Sequence, residues 1–371
     1  MRDPFPLPPL PGLSKATGPL ADSLSFPTLP LHIHEVIGSA LFYTFIHMVV
    51  SPILSTRLFP KHYPTSRSKK INWDAHVVSL IQSCLINALS LWVIFVDKER
   101  GAMDWQQRIW GYTGAGGMIQ AMACGYFVWD LCITLCYLDV FGLGLLAHAV
   151  SALAVYSFGF RPFLNYYSCI FILYELSTPF LNIHWFFDKL NMTGSKAQLY
   201  NGIALLFTFF ACRLVWGSYQ SVLVYIDMWQ AVHHSPDAGY VAAALSQNST
   251  LTDPDQNMMA FVKESVPVPI WLALVYVASN IVLNTLNWFW FFKMITAVKK
   301  RFEPPKGAPV AVTTDGKPIQ NGDAVPAAIG DSTATDEKAG LRGLRRRGDF
   351  LVDAFPDVIP DSEELRAGTI Q

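Results

Sequence analysis

The chain has 371 residues, 52% of them hydrophobic and 13% aromatic, which is more apolar surface than a soluble fold of this length buries. This excludes a soluble globular protein and implies several membrane crossings, while a formal net charge of −1 gives no support for a nucleic-acid partner. All six cysteines (Cys84, Cys124, Cys132, Cys136, Cys169 and Cys212) fall in apolar segments, which argues against both a disulfide framework and a zinc site.

Residues 1–31 are studded with proline and lack a basic region followed by a continuous apolar core. They are expected to be a short flexible lumenal tail and not a cleaved signal peptide, so that the first span directs insertion. Apolar runs then predict an all-α membrane protein with seven spans, at about 36–57, 77–96, 115–138, 141–160, 163–187, 197–226 and 268–297. The 197–226 run is longer than a crossing needs and is expected to emerge before Asp227.

Between the first two spans, Arg57, Lys61, Arg67, Lys69 and Lys70 crowd one loop, and the last span ends in Lys299, Lys300 and Arg301. Cytoplasmic loops gather Lys and Arg, so both belong in the cytosol, and the six spans between them agree with that. The amino terminus and the 227–267 loop are then lumenal. That loop carries Asn248-Ser249-Thr250, a glycan acceptor usable only in the lumen, whereas Asn191-Met192-Thr193 falls on the cytosolic side. Residues 302–371 turn abruptly to Pro, Gly, Ala, Asp and Thr and are expected to be a disordered cytosolic tail, with Arg342, Arg345, Arg346 and Arg347 a solvated charge run.

The stretch from Gly144 to Asn182 reads as two apolar helices folded back at Arg161-Pro162, with His148 and Glu175 equally far from the turn and hence at one depth. A charged side chain facing lipid costs ~2.5–3.5 kcal/mol or more, so such a pair is expected to face a protein interior. Asp130 and His148 flank the tight turn near Asp139 at similar distances and join the same layer, in the cytosolic half. Other polar residues form stripes: Tyr126 with Asp130, Glu175 with Thr178 and Asn182, and Asn280 with Asn284 and Asn287. Gln82, Asn87 and Ser151 extend the network as helix-to-helix hydrogen bonds. Arg213 is expected deeper toward the lumen and needs an acceptor from Asp130, Glu175 or a lipid phosphate. Pro179 is expected to kink the fifth span and free a carbonyl near Glu175. His32, His34, His47, His233 and His234 show no metal-ligand spacing, and no metal or cofactor is expected.

Trp73 after a basic loop, GYFVWD at 125–130, LLAHAVS at 145–151, YELSTPFLNIHWFFDKL at 174–190 and Arg213 together resemble the TLC domain over about residues 40–297. This multi-pass domain is shared by ceramide synthases, the translocating chain-associating membrane protein and several lipid-linked proteins of the endoplasmic reticulum. The phrase ELSTPFLN…WFF is most similar to the branch called TLC domain-containing protein 4.

The resemblance implies a barrel-like bundle of six helices around a cavity for a lipid or acyl chain, in the endoplasmic reticulum membrane. It implies a role in lipid homeostasis by binding, sensing or presenting lipids. The head would meet His148, Glu175, Asp130 and Arg213, with Tyr126, Thr178, Asn182 and Asn284 completing the site. The alternative it implies is an acyltransferase taking acyl-CoA as substrate through His148, with Glu175 and Asp130 as the other catalytic residues. Ceramide synthases carry two adjacent histidines, paired aspartates and a glutamate; here Ala147 replaces the first histidine, Glu175 and Thr178 stand for the aspartates and Asn182 for the glutamate. A further alternative is a transporter or membrane scaffold, though paired broken helices and an internal repeat are not evident in the sequence.

Overall fold

A computed structural model describes residues 1–246, 257–262 and 264–302. The glycan acceptor Asn248 and the 303–371 tail lie outside the described residues. The protein is all-α: α1 Pro11–Leu24, α2 Leu29–Leu58, α3 Arg67–Val96, α4 Lys98–Gly101, α5 Trp105–Trp110, α6 Gly114–Cys136 and α7 Leu138–Phe158 lead to a composite segment. That segment joins α8 Asn165–Phe171, a 3₁₀ stretch Ile172–Ser177 and α9 Thr178–Lys189; α10 Lys196–His233, α11 Ala238–Ser246 and α12 Ile270–Phe302 follow. Among the described residues, six helices, α2, α3, α6, α7, α10 and α12, are long and apolar enough to cross a membrane.

Local signals place the helix starts. Thr113 caps α6 by accepting the Gly116 N–H at 3.3 Å, and Ser195 caps α10 by accepting the Gln198 N–H at 3.2 Å. Asp104 and Gln107 form a reciprocal capping box at α5. Tyr137 ends α6, and Gly142, with φ of 77°, breaks the first turn of α7, a conformation that glycine tolerates without strain.

The expected fifth span is a broken rod and not a continuous helix. Pro179 has no N–H to offer the Glu175 carbonyl four residues back, and the Thr178 N–H takes that carbonyl instead in a tighter 3₁₀ bond. The expected free carbonyl is therefore occupied. The rod runs antiparallel to α10 along the whole of that helix: Asn201 Nδ2 donates to the Phe180 carbonyl at 2.8 Å, Arg213 meets Ser177, Gly217 abuts Tyr174, and Tyr167 donates to Asp227 at 2.7 Å.

Six elements close a ring, in the order α3, α6, α7, α12, α10 and the composite rod, which returns to α3; α2 packs outside it on α6 and α3. The ring's outer surface is apolar, with Phe207, Trp229 and Leu274 each more than 60% exposed. At one end α8 is buried in the middle of the ring against α3, α5, α6 and α10. Asn165 donates to Gln120 Oε1 at 2.8 Å, and Tyr156 donates to the Ser168 carbonyl at 3.0 Å. That end is densely packed around α8, and the cavity to which all six ring elements contribute lies toward the end that carries the basic loop.

α10 runs on past Asp227 to His233, and Arg108 from α5 pairs with the Asp227 carboxylate at 2.6 and 2.7 Å, which makes its burial tolerable. Residues 1–31 are not a free tail: α1 packs on α2, and both the backbone N–H and the hydroxyl of Thr28 donate to the Phe160 carbonyl, at 3.2 and 2.9 Å. The prolines that suggested disorder sit before α1, within it at Pro19, and in the first turns of α1 and α2.

Candidate functional site: a polar cavity in one half of the ring

A cavity of about 130 Å³ lies inside the ring, and all six ring elements contribute to its wall. His76 and Ser79 come from α3, Tyr126 and Asp130 from α6, and His148 from α7. Glu175 and Asn182 come from the composite rod, Arg213 from α10 and Trp290 from α12. Ile133, Phe141, Leu145, Leu181 and Phe209 supply an apolar remainder. Six of the eight residues selected for the site by sequence thus share one cavity: Tyr126, Asp130, His148, Glu175, Asn182 and Arg213. All lie in the half of the ring nearer the basic loop.

Arg213 is not displaced from the His148 layer, as expected, but belongs to it. It sits in a π-helical stretch, Phe209–Trp216, whose extra residue per turn rotates the side chain inward. Its Nε–H donates to Ser177 Oγ at 3.0 Å, Nη1 to Asn287 Oδ1 at 3.1 Å and Nη2 to Thr178 Oγ1 at 3.0 Å, and Nη2 lies 3.7 Å from Glu175 Oε1. Its guanidinium also stands over the Phe209 ring, 5.0 Å from the centroid. Thr178 therefore does not line the cavity but holds the arginine that does. Asn284 is also outside it: its amide donates to Ser221 Oγ at 3.1 Å and to Asn280 Oδ1 at 2.9 Å, and Tyr174 donates to its oxygen at 3.3 Å. Those bonds tie α12 to α10 and to the rod. Gln82 accepts from the Tyr43 hydroxyl of α2, and Asn87 donates to the Ser83 carbonyl one turn back in its own helix at 2.6 Å; neither lines the cavity.

Asp130 has no hydrogen-bond donor among the described residues, and His148 Nδ1 is buried without a partner while its ring packs against Trp290 at 5.9 Å. Sequence reading missed the second histidine of the cavity. His76 Nδ1–H donates to Asn182 Oδ1 at 2.6 Å, which leaves the lone pair on Nε2, buried and unpartnered. The ring is clamped against Trp185, 3.9 Å between centroids and 20° between planes. Asn182 is held in turn by its amide, which donates to Ser79 Oγ and to the Thr178 carbonyl, both at 3.0 Å. His76 escaped notice because Lys69 and Lys70 depress hydropathy at the start of α3. The helix begins at Arg67, ten residues before the apolar run at 77–96.

Chemically, the cavity offers one fixed cation, two carboxylates and two imidazoles with open lone pairs, in low-dielectric surroundings. Its surplus of acceptors suits a group that donates hydrogen bonds. Its volume is below the ~300–1,000 Å³ usual for sites that enclose a drug-sized ligand, so it has room for a small polar group only.

The sequence model of the TLC domain matches residues 72–296, which take in all six ring elements apart from the first turn of α3 and the last turns of α12. An uncharacterised TLC domain-containing protein of Schizosaccharomyces pombe is 36% identical over 304 residues, covering 82% of this chain and 91% of that protein. Topoisomerase I damage affected protein 4 of Saccharomyces cerevisiae is 30% identical, covering 74% and 86%, and human TLC domain-containing protein 4 is 32% identical over 47% and 66%. With a matched domain that spans the ring and relatives that extend over most of its length, the chain belongs to the TLC domain family, among homologues named TLC domain-containing protein 4.

Proposed function

We propose that this protein holds the polar head of a membrane lipid in the ring cavity and serves membrane lipid homeostasis by binding, sensing or presenting that lipid. The observation that carries the reading is the convergence of Asp130, His148, Glu175, Arg213 and His76 on one cavity within an apolar shell. The acceptors favour a head rich in hydroxyl or amine groups, with the tails left among the surrounding lipids. The basic clusters at the end nearer the cavity support a cytosolic orientation for that end, a reading in which the composite rod is a seventh crossing and the opposite end is lumenal. The endoplasmic reticulum is the membrane in which this reading sets the protein.

Lipid mass spectrometry on gently extracted protein tests it. Wild type is expected to retain a lipid that His148→Ala and His76→Ala lose while eluting as the same monodisperse species. Equal lipid content in all three overturns the reading.

A second reading, acyl transfer from acyl-CoA to an amine, is favoured by one observation: two histidines with open ring nitrogens face the same cavity. One imidazole would take the amine proton as the amide bond forms and the thioester bond to coenzyme A breaks, and the leaving thiolate would receive the proton. Purified protein supplied with acyl-CoA and a long-chain base is the test. Absence of both an amide product and an acyl adduct at His148 removes this reading.

A further inference from the structure

At the densely packed end of the ring, away from the cavity, a second cluster of ionisable side chains joins the start of the chain to the first turns of α2. Residues 1–7 lie on the bundle through several contacts: the Ala115 N–H donates to the Met1 carbonyl at 3.3 Å, Phe5 meets the His34 ring edge-on at 5.5 Å, and His34 Nε2–H donates to the Leu7 carbonyl at 2.9 Å. Asp3 is oriented by its own backbone, since Oδ1 accepts the Phe5 N–H at 2.9 Å. The other oxygen, Oδ2, reaches to 3.5 Å from His32 Nδ1.

His32 and Glu35 occupy i and i+3 on α2 and so project side by side. His32 Nδ1 lies 3.0 Å from Glu35 Oε1. Glu35 is completely buried, and its second oxygen, Oε2, has no partner. One ligand-type atom from each of Asp3, His32 and Glu35 lies within 4.8 Å of the other two.

Those separations fit a shared cation as well as hydrogen bonds to one imidazole. Ligands at about 2.1 Å from a tetrahedral zinc ion stand about 3.4 Å apart, and the two distances to His32 Nδ1, 3.0 and 3.5 Å, bracket that value. The imidazole is held from its far side as well: Nε2 is 2.6 Å from the Tyr112 hydroxyl, the outer-shell partner that fixes the orientation of a metal-bound histidine. Gly117 lies so close beneath that ring that a Cβ there would meet His32 Cε1 at 2.8 Å. The ring therefore cannot tilt away. Two carboxylates and a neutral imidazole carry two negative charges, matched by one divalent ion, and the mixed oxygen and nitrogen set suits a first-row transition metal.

We propose that Asp3, His32 and Glu35 form a binding site for a divalent first-row transition ion, zinc in the first instance, with three protein ligands and a fourth position open to water at the side of the partly exposed Asp3. The ion staples the start of the chain to α2 at the end of the ring opposite the cavity. This site is independent of the lipid-head reading.

The test uses full-length protein in detergent or nanodiscs, stripped with chelator and titrated with Co²⁺, then with Zn²⁺ in competition. One equivalent of Co²⁺ is expected to give the visible absorption of a tetrahedral site, which Zn²⁺ abolishes, and Zn²⁺ is expected to raise the thermal midpoint. Asp3→Asn, at a partly exposed position that contributes nothing to the core, is expected to weaken the metal at least 10-fold. His32→Asn and Glu35→Gln act in the same direction. If wild type shows neither the cobalt absorption nor the zinc-induced shift, the proposal fails. It also fails if Asp3→Asn keeps the wild-type response, since the metal would then lie elsewhere.

Discussion

The Arg213 guanidinium lies 3.7 Å from the Glu175 carboxylate, and the two stand on adjacent staves of the ring with only neutral oxygens completing the arginine's shell. Both are nearly buried, with side chains 7% and 12% exposed. Removing one partner strands the other. Arg213→Leu is expected to cost about 3–5 kcal/mol of stability. Combining it with Glu175→Gln is expected to be less harmful than the sum of the two single changes, with a coupling of about 1–3 kcal/mol. Thermal unfolding of the four proteins in one detergent measures this directly.

A second ion pair holds the opposite end. Asp227 accepts from Arg108 Nε at 2.6 Å, from Arg108 Nη2 at 2.7 Å and from the Tyr167 hydroxyl at 2.7 Å, joining α10 to α5 and α8. The carboxylate raises the arginine further above its ordinary range, so the guanidinium keeps its charge. Asp227→Asn is expected to destabilise by about 3 kcal/mol, and Tyr167→Phe by about 1 kcal/mol. Hydrogen exchange that speeds up in α5 and α8 before the remainder of the ring would locate the loss.

The contact of α2 with the ring depends on a missing side chain. At Gly125 a Cβ would press on the Val36 carbonyl, stand 2.7 Å from Ser39 Cβ and 3.1 Å from the Ala40 nitrogen. Two of those three atoms belong to the α2 backbone and cannot rotate away. Gly125→Ala is expected to cost about 1–3 kcal/mol and to increase protease cleavage in the 59–66 loop, while Gly12→Ala, with open space around it, changes neither.

The two glycan acceptors report which end of the ring faces the lumen. Asn191 stands between Lys189 and Lys196, with φ of 56°, at the basic end. In a glycosylating host, Asn248→Gln is expected to increase gel mobility and Asn191→Gln to leave it unchanged. The reverse result would invert the orientation.

Much of this architecture was legible in the chain because lipid imposes a one-dimensional rule. A crossing must be long and apolar, so five of the seven predicted runs match single helices to within a few residues or a few turns, and the sixth, 197–226, differs mainly in running on past Asp227. The same rule exposed the site. Polar residues are so costly among hydrocarbon that Asp130, His148, Glu175 and Arg213 stood out without any fold to place them. Depth counting along a helical hairpin was enough to bring three of them into one layer.

What hydropathy does not encode was decided by tertiary contacts. His76 was hidden by the lysines beside it, and only the pairing of α3 with α9 brings it to Asn182 and Trp185. Arg213 enters the His148 layer because a π-helical stretch turns it inward, a displacement invisible to residue counting. Asn284, chosen for its place in a polar stripe, faces α10 and the rod and not the cavity, because a stripe gives a direction only relative to its own helix. The prolines before Leu31 read as disorder until α1 found the groove beside α2. Apolar patterning thus determined that the protein is an all-α membrane bundle and roughly where its long helices lie. The rotation of every rod about its axis, and with it the membership of the cavity and of the Asp3, His32 and Glu35 cluster, was set only when side chains from different rods had to share one interior.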